Sequence, residues 1–521
     1  MIGKKNWSEY LHAIRKKEID IVFSLLNDRH FTSGLEVGAG DGYQTALLAS
    51  HIDSLISSDL NFKRIRDSLK VPNVKYKTID ADAIGGVFGA GTFNFIFSSN
   101  VLEHLRDPRH FLCATQEMLS SDGYAVHIIP SRHIKMLYLL FYYPHLAFLA
   151  LDRILGKLKG EQFFRGTEIN LENNINIVQA KTYSSRIRKF LLPSVHGNFQ
   201  SHREEYVAFG KNQWRRLFVE AGYTVVTYAR GPAFSGYGFG ISYGAKLLER
   251  LGVSSEHIFI LKKMSPFESA TWTYTNAFLP RGSFYEREKF VQDWMNKEKN
   301  AEAFAKDFVK TVGDPKGKTI LDVGFGNGII VSEFARMGAV AYGLETEEQL
   351  LRLATQNSKD HGVSVGLHIY DGISFPFPES KFDYVYSTSV LEHMSYPAAV
   401  FSEISRTLVP GGKFYLSFPN KYAPKESHTG LWFISWLPRQ LAQYILKRFK
   451  SSPLEDWNLH FVSYFAVKKM AKKAGLRIIY DAGGRTAFRR FFKKMLAYIG
   501  VHYGVLLKTI IIVFEKSHEH G

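Results

Sequence analysis

Two stretches of this chain combine residue types that can hold a nucleotide. Leu35-Glu36-Val37-Gly38-Ala39-Gly40-Asp41-Gly42 and Leu321-Asp322-Val323-Gly324-Phe325-Gly326-Asn327-Gly328 each carry an acid followed by three glycines at alternate positions. A loop that approaches a ligand closely needs glycine, because a Cβ would clash and some positions require positive φ. A second acid follows each first one at the same spacing, Asp59 after Glu36 and Glu345 after Asp322. At that distance it falls at the end of the next strand, where a carboxylate can accept from both hydroxyls of a ribose. A third acid, Asp82 or Asp371, follows the third strand of each stretch. Val101-Leu102-Glu103-His104 and Val390-Leu391-Glu392-His393 then repeat in register. Histidine is the natural proton carrier near neutral pH, which makes His104 and His393 candidate catalytic groups. Beyond the fifth strand of each copy stand further candidates: His428 with Glu426 and His460 in the second, and His196 with His202 and Glu205 in the first.

These residues require strands and helices that deliver them to one edge of a sheet. In both halves short apolar runs alternate with helical periods, the pattern of a parallel sheet wound with helices on both faces. The fourth and fifth strands read Phe93 to Ser98 and Gly123 to Pro130 in the first copy, and Phe382 to Ser387 and Gly412 to Pro419 in the second. The expected organisation is a first domain over 1–264 with a long insertion at about 131–210, a partly helical linker over 265–318, and a second domain over 319–521 with an insertion at about 420–462. Met136 to Leu151 is uncharged but interrupted by Pro144 and His145, and reads as a buried or interfacial helical hairpin rather than a membrane span.

The glycine spacing is G-x-G-x-G rather than the G-x-G-x-x-G of a pyrophosphate site. An acid before the first glycine would repel a pyrophosphate, yet it could hold the cationic methionyl end of S-adenosylmethionine through water or amides. The third acid can accept from an adenine amine. On the glycine loops, Asp59, Asp82, Glu345, Asp371, the two Leu-Glu-His triplets, Phe375-Pro376-Phe377 and Pro410-Gly411-Gly412, both halves resemble class I S-adenosylmethionine-dependent methyltransferases of the small-molecule type. The resemblance implies an α/β fold of two Rossmann-like domains. Each would be a mostly parallel seven-stranded sheet whose sixth and seventh strands pair antiparallel. It also implies S-adenosyl-L-methionine as cofactor, held by Glu36, Gly38, Gly40, Gly42, Asp59 and Asp82 in one copy and by Asp322, Gly324, Gly326, Gly328, Glu345 and Asp371 in the other. The first copy departs from the pattern at Asn94, at Gly85-Gly86-Val87-Phe88-Gly89 and at Ser121-Asp122-Gly123. Its cofactor loop is intact, so it is expected to bind cofactor more surely than to turn over.

The net charge of +17 and the pI near 9.5 imply attraction to an anionic partner. Both insertions open on aromatic, apolar segments that turn basic, which suits a helix lying on an anionic membrane surface. No recognition motif or dedicated basic module points to nucleic acid. The single cysteine, Cys113, excludes an internal disulfide and a cysteine metal cluster. No two-histidine pattern with a third ligand predicts a metal. The start of the chain has no apolar signal region, so the expected location is cytoplasmic, peripheral at the inner membrane face. The leading expectation is methyl transfer, at oxygen, to a small, glycan or lipid-linked acceptor by two tandem domains. Two alternatives stand beside it: one catalytic domain with a cofactor-binding scaffold, and a tandem phospho-base N-methyltransferase.

Overall fold

The computed structural model describes residues 7–61, 65, 67–159, 195, 199–234, 242–426, 429–449, 459–481 and 508–517. The chain divides into two units, Met1–Met264 and Ser265–Gly521. Each is built on one seven-stranded sheet.

In the first unit the strands are β1 (Phe31–Val37), β2 (Ile52–Asp59), β3 (Val74–Thr78), β4 (Phe93–Ser99), β5 (Leu119–Pro130), β6 (Tyr223–Arg230) and β7 (Glu256–Lys263), in spatial order 3-2-1-4-5-7-6. The pairs from β3 through β5 are parallel, while β7 runs antiparallel to both β5 and β6. The strand order reverses direction between β1 and β4, so the glycine loop after β1 sits at the switch point where open α/β sheets take their ligands. One face is covered by α1 (Trp7–Leu25), whose Ile19, Val22 and Phe23 are buried with Leu48 of α2 (Tyr43–Leu48). The other is covered by α3 (Pro108–Met118) and the helix Lys211–Glu220, through Phe111, Leu112, Trp214 and Phe218. Phe95-Ile96-Phe97 of β4 and Ala125-Val126 and Ile128-Ile129 of β5 are buried apolar runs because both faces of a parallel sheet are covered.

The second unit repeats the order with β8 (Thr319–Val323), β9 (Val340–Glu345), β10 (Gly366–Ile369), β11 (Phe382–Thr388), β12 (Leu408–Pro419), β13 (Leu476–Asp481) and β14 (Thr509–Lys516), arranged 10-9-8-11-12-14-13. The fold expected from the resemblance is therefore present in both halves, with the antiparallel pair at the same edge.

The segment 265–318 is partly helical, as expected, and is grouped with the second unit. Its helices Pro266–Phe278, Phe284–Met295 and Lys297–Thr311 belong to the second unit. Phe308 packs against Phe334, Tyr386 and Tyr415, and Phe267 and Tyr274 are buried in the same core cluster. The charge read as a linker signal lies on the outer faces of helices whose inner faces are aromatic. One expectation is corrected: the Met136–Leu151 stretch is not a hairpin. It lies within one helix, α4 (Arg132–Lys159), which runs on through Pro144. A proline inside a helix removes one backbone bond and bends it more readily than it ends it. Among the described residues no helix is long and apolar enough to cross a membrane.

Candidate active site

The two glycine loops fold alike. The amides of Gly38 and Ala39 both donate to the Ser58 carbonyl, at 2.8 and 3.0 Å, and those of Gly324 and Phe325 to the Leu344 carbonyl, at 2.8 and 3.2 Å. Each loop is thus pinned over the end of the neighbouring strand. The middle glycine then donates to the second acid: Gly40 N–H to Asp59 Oδ2 at 2.9 Å, and Gly326 N–H to Glu345 Oε2 at 3.1 Å. Gly38 and Gly324 have φ of 84° and 86°, and a Cβ on either would meet Cγ2 of Val101 or Val390 at 2.3 Å. The valine of the Val-Leu-Glu-His motif therefore packs on the first glycine, which ties the two motifs into one site. A Cβ on Gly40 or Gly326 would meet nothing within 4 Å. Those two positions border open space, as a cradle for a closely approaching ligand must. The residues present fit S-adenosylmethionine: an open glycine-lined loop beside a carboxylate at the end of the second strand.

The acid before each loop lies behind it, not in it. Glu36 is buried and its Oε2 accepts from Thr45 Oγ1 at 2.5 Å and Ser57 Oγ at 2.8 Å. Burial pushes its carboxyl up to about 7, against the opposing hydrogen bonds. Asp322 is equally buried and accepts from the Tyr386 hydroxyl at 2.8 Å. Burial pushes it up to about 8. The same acid position is thus held by different partners in the two units. Glu345 is also raised by burial, against its backbone hydrogen bonds. The third acids are engaged locally: Asp82 Oδ1 accepts from Arg106 N–H at 2.8 Å, and Asp371 Oδ1 from Ile373 and Ser374 N–H at 2.8 and 2.7 Å. Those amides hold Asp371 below the usual carboxylate range.

Leu-Glu-His forms a single 3₁₀ turn in each unit, Leu102–His104 and Leu391–His393. The turn sends the leucine into the core and buries the glutamate, leaving the histidine outermost. His104 is about half exposed, with Nε2 3.8 Å from Glu103 Oε1, and His393 is partly exposed. In the second unit Glu392 lines a narrow cleft of about 10 Å³, room for about one water, together with Pro419, Asn420, Lys421, Glu426, Ser435, Leu459, His460 and Phe461. His393 is not among those lining residues. The structure thus brings Glu426 and His460 together, as the sequence suggested, and joins to them Glu392 of the Leu-Glu-His triplet and Asn420 and Ser435, which it had not singled out. Arg439 Nη1 lies 3.0 Å from His460 Nδ1. A guanidinium only donates, so Nδ1 accepts and the ring proton sits on Nε2. Burial and the Arg439 charge both push His460 below its ordinary range. His460 Nε2–H is consequently a donor, and the carboxylates that line the cleft are Glu392 and Glu426. His428 and His196 lie outside the described residues.

The corresponding edge of the first unit is filled by charge. From α1, His12 Nε2 meets Asp41 Oδ2 at 2.7 Å and its ring stacks on Tyr43 at 3.9 Å. One turn further, Arg15 Nη1 reaches Glu18 at 2.9 Å, Ser99 Oγ at 2.9 Å and Glu256 Oε1 at 3.3 Å. Asn100 donates to Glu256 at 2.9 Å, and Gln44 to Glu18 at 3.0 Å. Glu18 and Glu256 have no exposed surface. Burial and Glu18 hold Glu256 well above the carboxylate range despite Arg15. Beside this cluster Lys135 pairs with Glu205, and burial raises Tyr138 to about 12. Glu256 is paired with Pro130 just as Thr509 is paired with Pro419. The charged cluster therefore occupies the strand ends that border the cleft in the second unit. Spacing could not have revealed it, since Arg15 and Glu256 are 241 residues apart. Among the described residues no group of three or more His, Cys, Asp or Glu is placed to hold a metal ion.

Comparison with known proteins agrees with this geometry. Residues 321–416 match a family model described as a methyltransferase domain, and residues 10–173 match a second model of the same description. A ubiquinone biosynthesis O-methyltransferase of Thiobacillus denitrificans is 30% identical over 171 residues, 32% of this chain and 68% of that protein. One from Nitrosococcus oceani is 33% identical over 119 residues, 22% of this chain and 49% of that protein, so the chain spans about half of that relative's length. A solved S-adenosylmethionine-dependent methyltransferase from Aquifex aeolicus is 16% identical, with 42% of this chain and 92% of that one covered and a TM-score of 0.29.

Proposed function

The chain belongs to the S-adenosylmethionine-dependent methyltransferases, and on that premise we propose that its second unit methylates a hydroxyl oxygen of a small, glycan or lipid-linked acceptor. When bound, S-adenosylmethionine supplies a methyl group on a positively charged sulfur. Gly324, Gly326 and Glu345 would hold it, with Asp322 supporting the loop from behind. The observation that carries the reading is the cleft at the end of β11 and β12. It begins at Glu392, two residues after the Val390 that packs on Gly324. A hydroxyl must lose its proton as its oxygen takes the methyl group. Of the two carboxylates that line the cleft, Glu392 is the nearer in sequence to Val390, and it is the candidate proton acceptor. Asn420 and the His460 Nε2–H would orient the acceptor. The two relatives point the same way, since both are named as O-methyltransferases.

The test is transfer of labelled methyl from S-adenosylmethionine to a total lipid and glycan extract of the source cells. An alkali-stable ether product that is lost with Glu392→Gln supports the reading. Label found on an amine refutes oxygen as the target and favours a phospho-base N-methyltransferase.

A second reading, in which the first unit binds cofactor without transferring methyl, is favoured by the Arg15–Glu18–Glu256 cluster. Transfer that persists after Gly324→Trp but stops after Gly38→Trp would reverse this assignment.

A further inference from the structure

The segment that walls the cleft has a second, outward side. Lys425 and Trp432 pair as an antiparallel bridge, Glu426 N–H donates to the Leu431 carbonyl at 2.9 Å, and Phe433 N–H donates to the Pro424 carbonyl at 2.6 Å. Phe433 is held at φ 58°, a conformation that a bulky side chain seldom adopts. The turn separates neighbours sharply. Ile434 and Ser435 go inward and are buried, while Trp432 is 64% exposed, Phe433 47% and Trp436 52%. The three outer rings touch one another, Phe433 lying 6.0 Å from Trp432 and 4.9 Å from Trp436. The helix Arg439–Phe449 continues the division: Ala442 and Leu446 pack inward against Ile434, and Leu441 and Tyr444 point outward beside exposed Lys447 and Arg448. Residues 421–449 carry five lysines and arginines against one acid, Glu426, which is buried in the cleft.

We propose that this aromatic shelf and basic helix dock the second unit onto an anionic phospholipid surface. Tryptophan and tyrosine favour the zone between hydrocarbon and water because one end of each ring system is apolar and the other hydrogen-bonds. Cations beside them meet the lipid phosphates, with long stems lying along the apolar layer. A protein partner would leave the excess of positive charge unexplained unless it were itself acidic, whereas an anionic bilayer answers both the rings and the charge. Glu426 and Ser435 line the cleft from the same segment, so docking would set the cleft opening beside the lipid headgroups. That last step rests on the proposed function. The docking does not.

The test uses the full chain and vesicles of phosphatidylcholine alone or mixed in equal parts with phosphatidylglycerol, read by co-sedimentation and tryptophan fluorescence. Binding to the mixed vesicles, weakened by salt, with a blue shift in emission, is the expected result. Trp432→Ser with Trp436→Ser is expected to weaken it at least about tenfold, and Lys447→Glu or Arg448→Glu about fivefold or more each. Calorimetry with S-adenosylmethionine on the same variants checks folding and reports separately on the methyltransferase reading. Equal binding to both vesicle types, unchanged binding by the tryptophan variant, or a wild-type dimer that the tryptophan variant dissolves would each overturn the proposal.

Discussion

Replacing single glycines by alanine separates what each loop position does. At Gly324 a new Cβ lies 2.3 Å from Cγ2, 2.7 Å from Cγ1 and 3.0 Å from Cβ of Val390. Carbon atoms at ease stand about 3.5–4.0 Å apart, and with all three valine atoms inside that distance no rotation of Val390 relieves the clash. The φ of 86° adds a further penalty for any residue with a Cβ. Left-handed backbone costs about 1–2 kcal/mol and overpacking about 1–3 kcal/mol, so Gly324→Ala should destabilise its unit by about 2–5 kcal/mol. At about 2–4 °C per kcal/mol for a unit of this size, its Tm should fall by about 4–20 °C. At Gly38 the same methyl meets only Cγ2 at 2.3 Å, with Cβ at 3.7 Å, and a turn of Val101 clears it. Gly38→Ala should therefore be the milder change. Gly326→Ala meets nothing within 4 Å, so it should cost only the backbone term, about 1–2 kcal/mol. Its methyl enters the space open to the cofactor, so affinity should fall more than stability does. Scanning calorimetry and titration with S-adenosylmethionine on the full chain give both quantities. A Gly324→Ala protein as stable as Gly326→Ala, or a Gly326→Ala protein that binds cofactor as wild type, would refute the reasoning.

Four further outcomes are expected. Glu345→Ala removes the acceptor for Gly326 N–H and for a ribose, and should weaken cofactor binding about 10- to 100-fold by calorimetry, as loss of a charge-assisted hydrogen bond does. Glu392→Gln should lower kcat by about 10²–10⁴ while leaving cofactor affinity near wild type, and unchanged kcat would remove it as the base. Asp322 has its folded pKa raised to about 8, so the cofactor-free second unit holds more protons than its unfolded chain at neutral pH. Its stability should then decline as pH rises from about 4 through 8, and Asp322→Asn should flatten that part of a Tm-against-pH curve. Arg15→Ala strands Glu18 and Glu256 in the interior of the first unit and should destabilise it by about 3–5 kcal/mol, a loss that Glu256→Gln partly restores.

The parts of this architecture that were legible in the sequence are those encoded locally. The strand runs, the glycine loops and the acids at the ends of the second strands depend on residues within about one βαβ unit of each other. What escaped depends on distant partners or on local rotation. The charge on 265–318 resembled a linker because its aromatic faces gain meaning only against Phe334 of a helix and Tyr386 and Tyr415 of a sheet not yet placed. The 3₁₀ turn decides that Glu392, and not His393, lines the cleft, and no periodicity reports a turn of three residues. Arg15 and Glu256 meet only once β7 is inserted beside β5. The positive φ of Phe433 contradicts its residue type, so its outward ring could not be read from the string of apolar residues around it.

Glu36 leans on Thr45 and Ser57, while Asp322, one methylene shorter, leans on Tyr386. The two loops are consequently not spare parts for one another. The first unit has Phe97 on β4 where the second has Tyr386 on β11, and the second has Gly343 on β9 where the first has Ser57 on β2. An aspartate grafted at 36 would find a phenylalanine and no hydroxyl on β4, and a glutamate grafted at 322 would push into the Tyr386 hydroxyl on β11. Anyone seeking to transplant specificity between the halves must move the strand neighbours with the loop. By the same logic, substitutions in the two copies can drift independently, because each loop answers to its own scaffold.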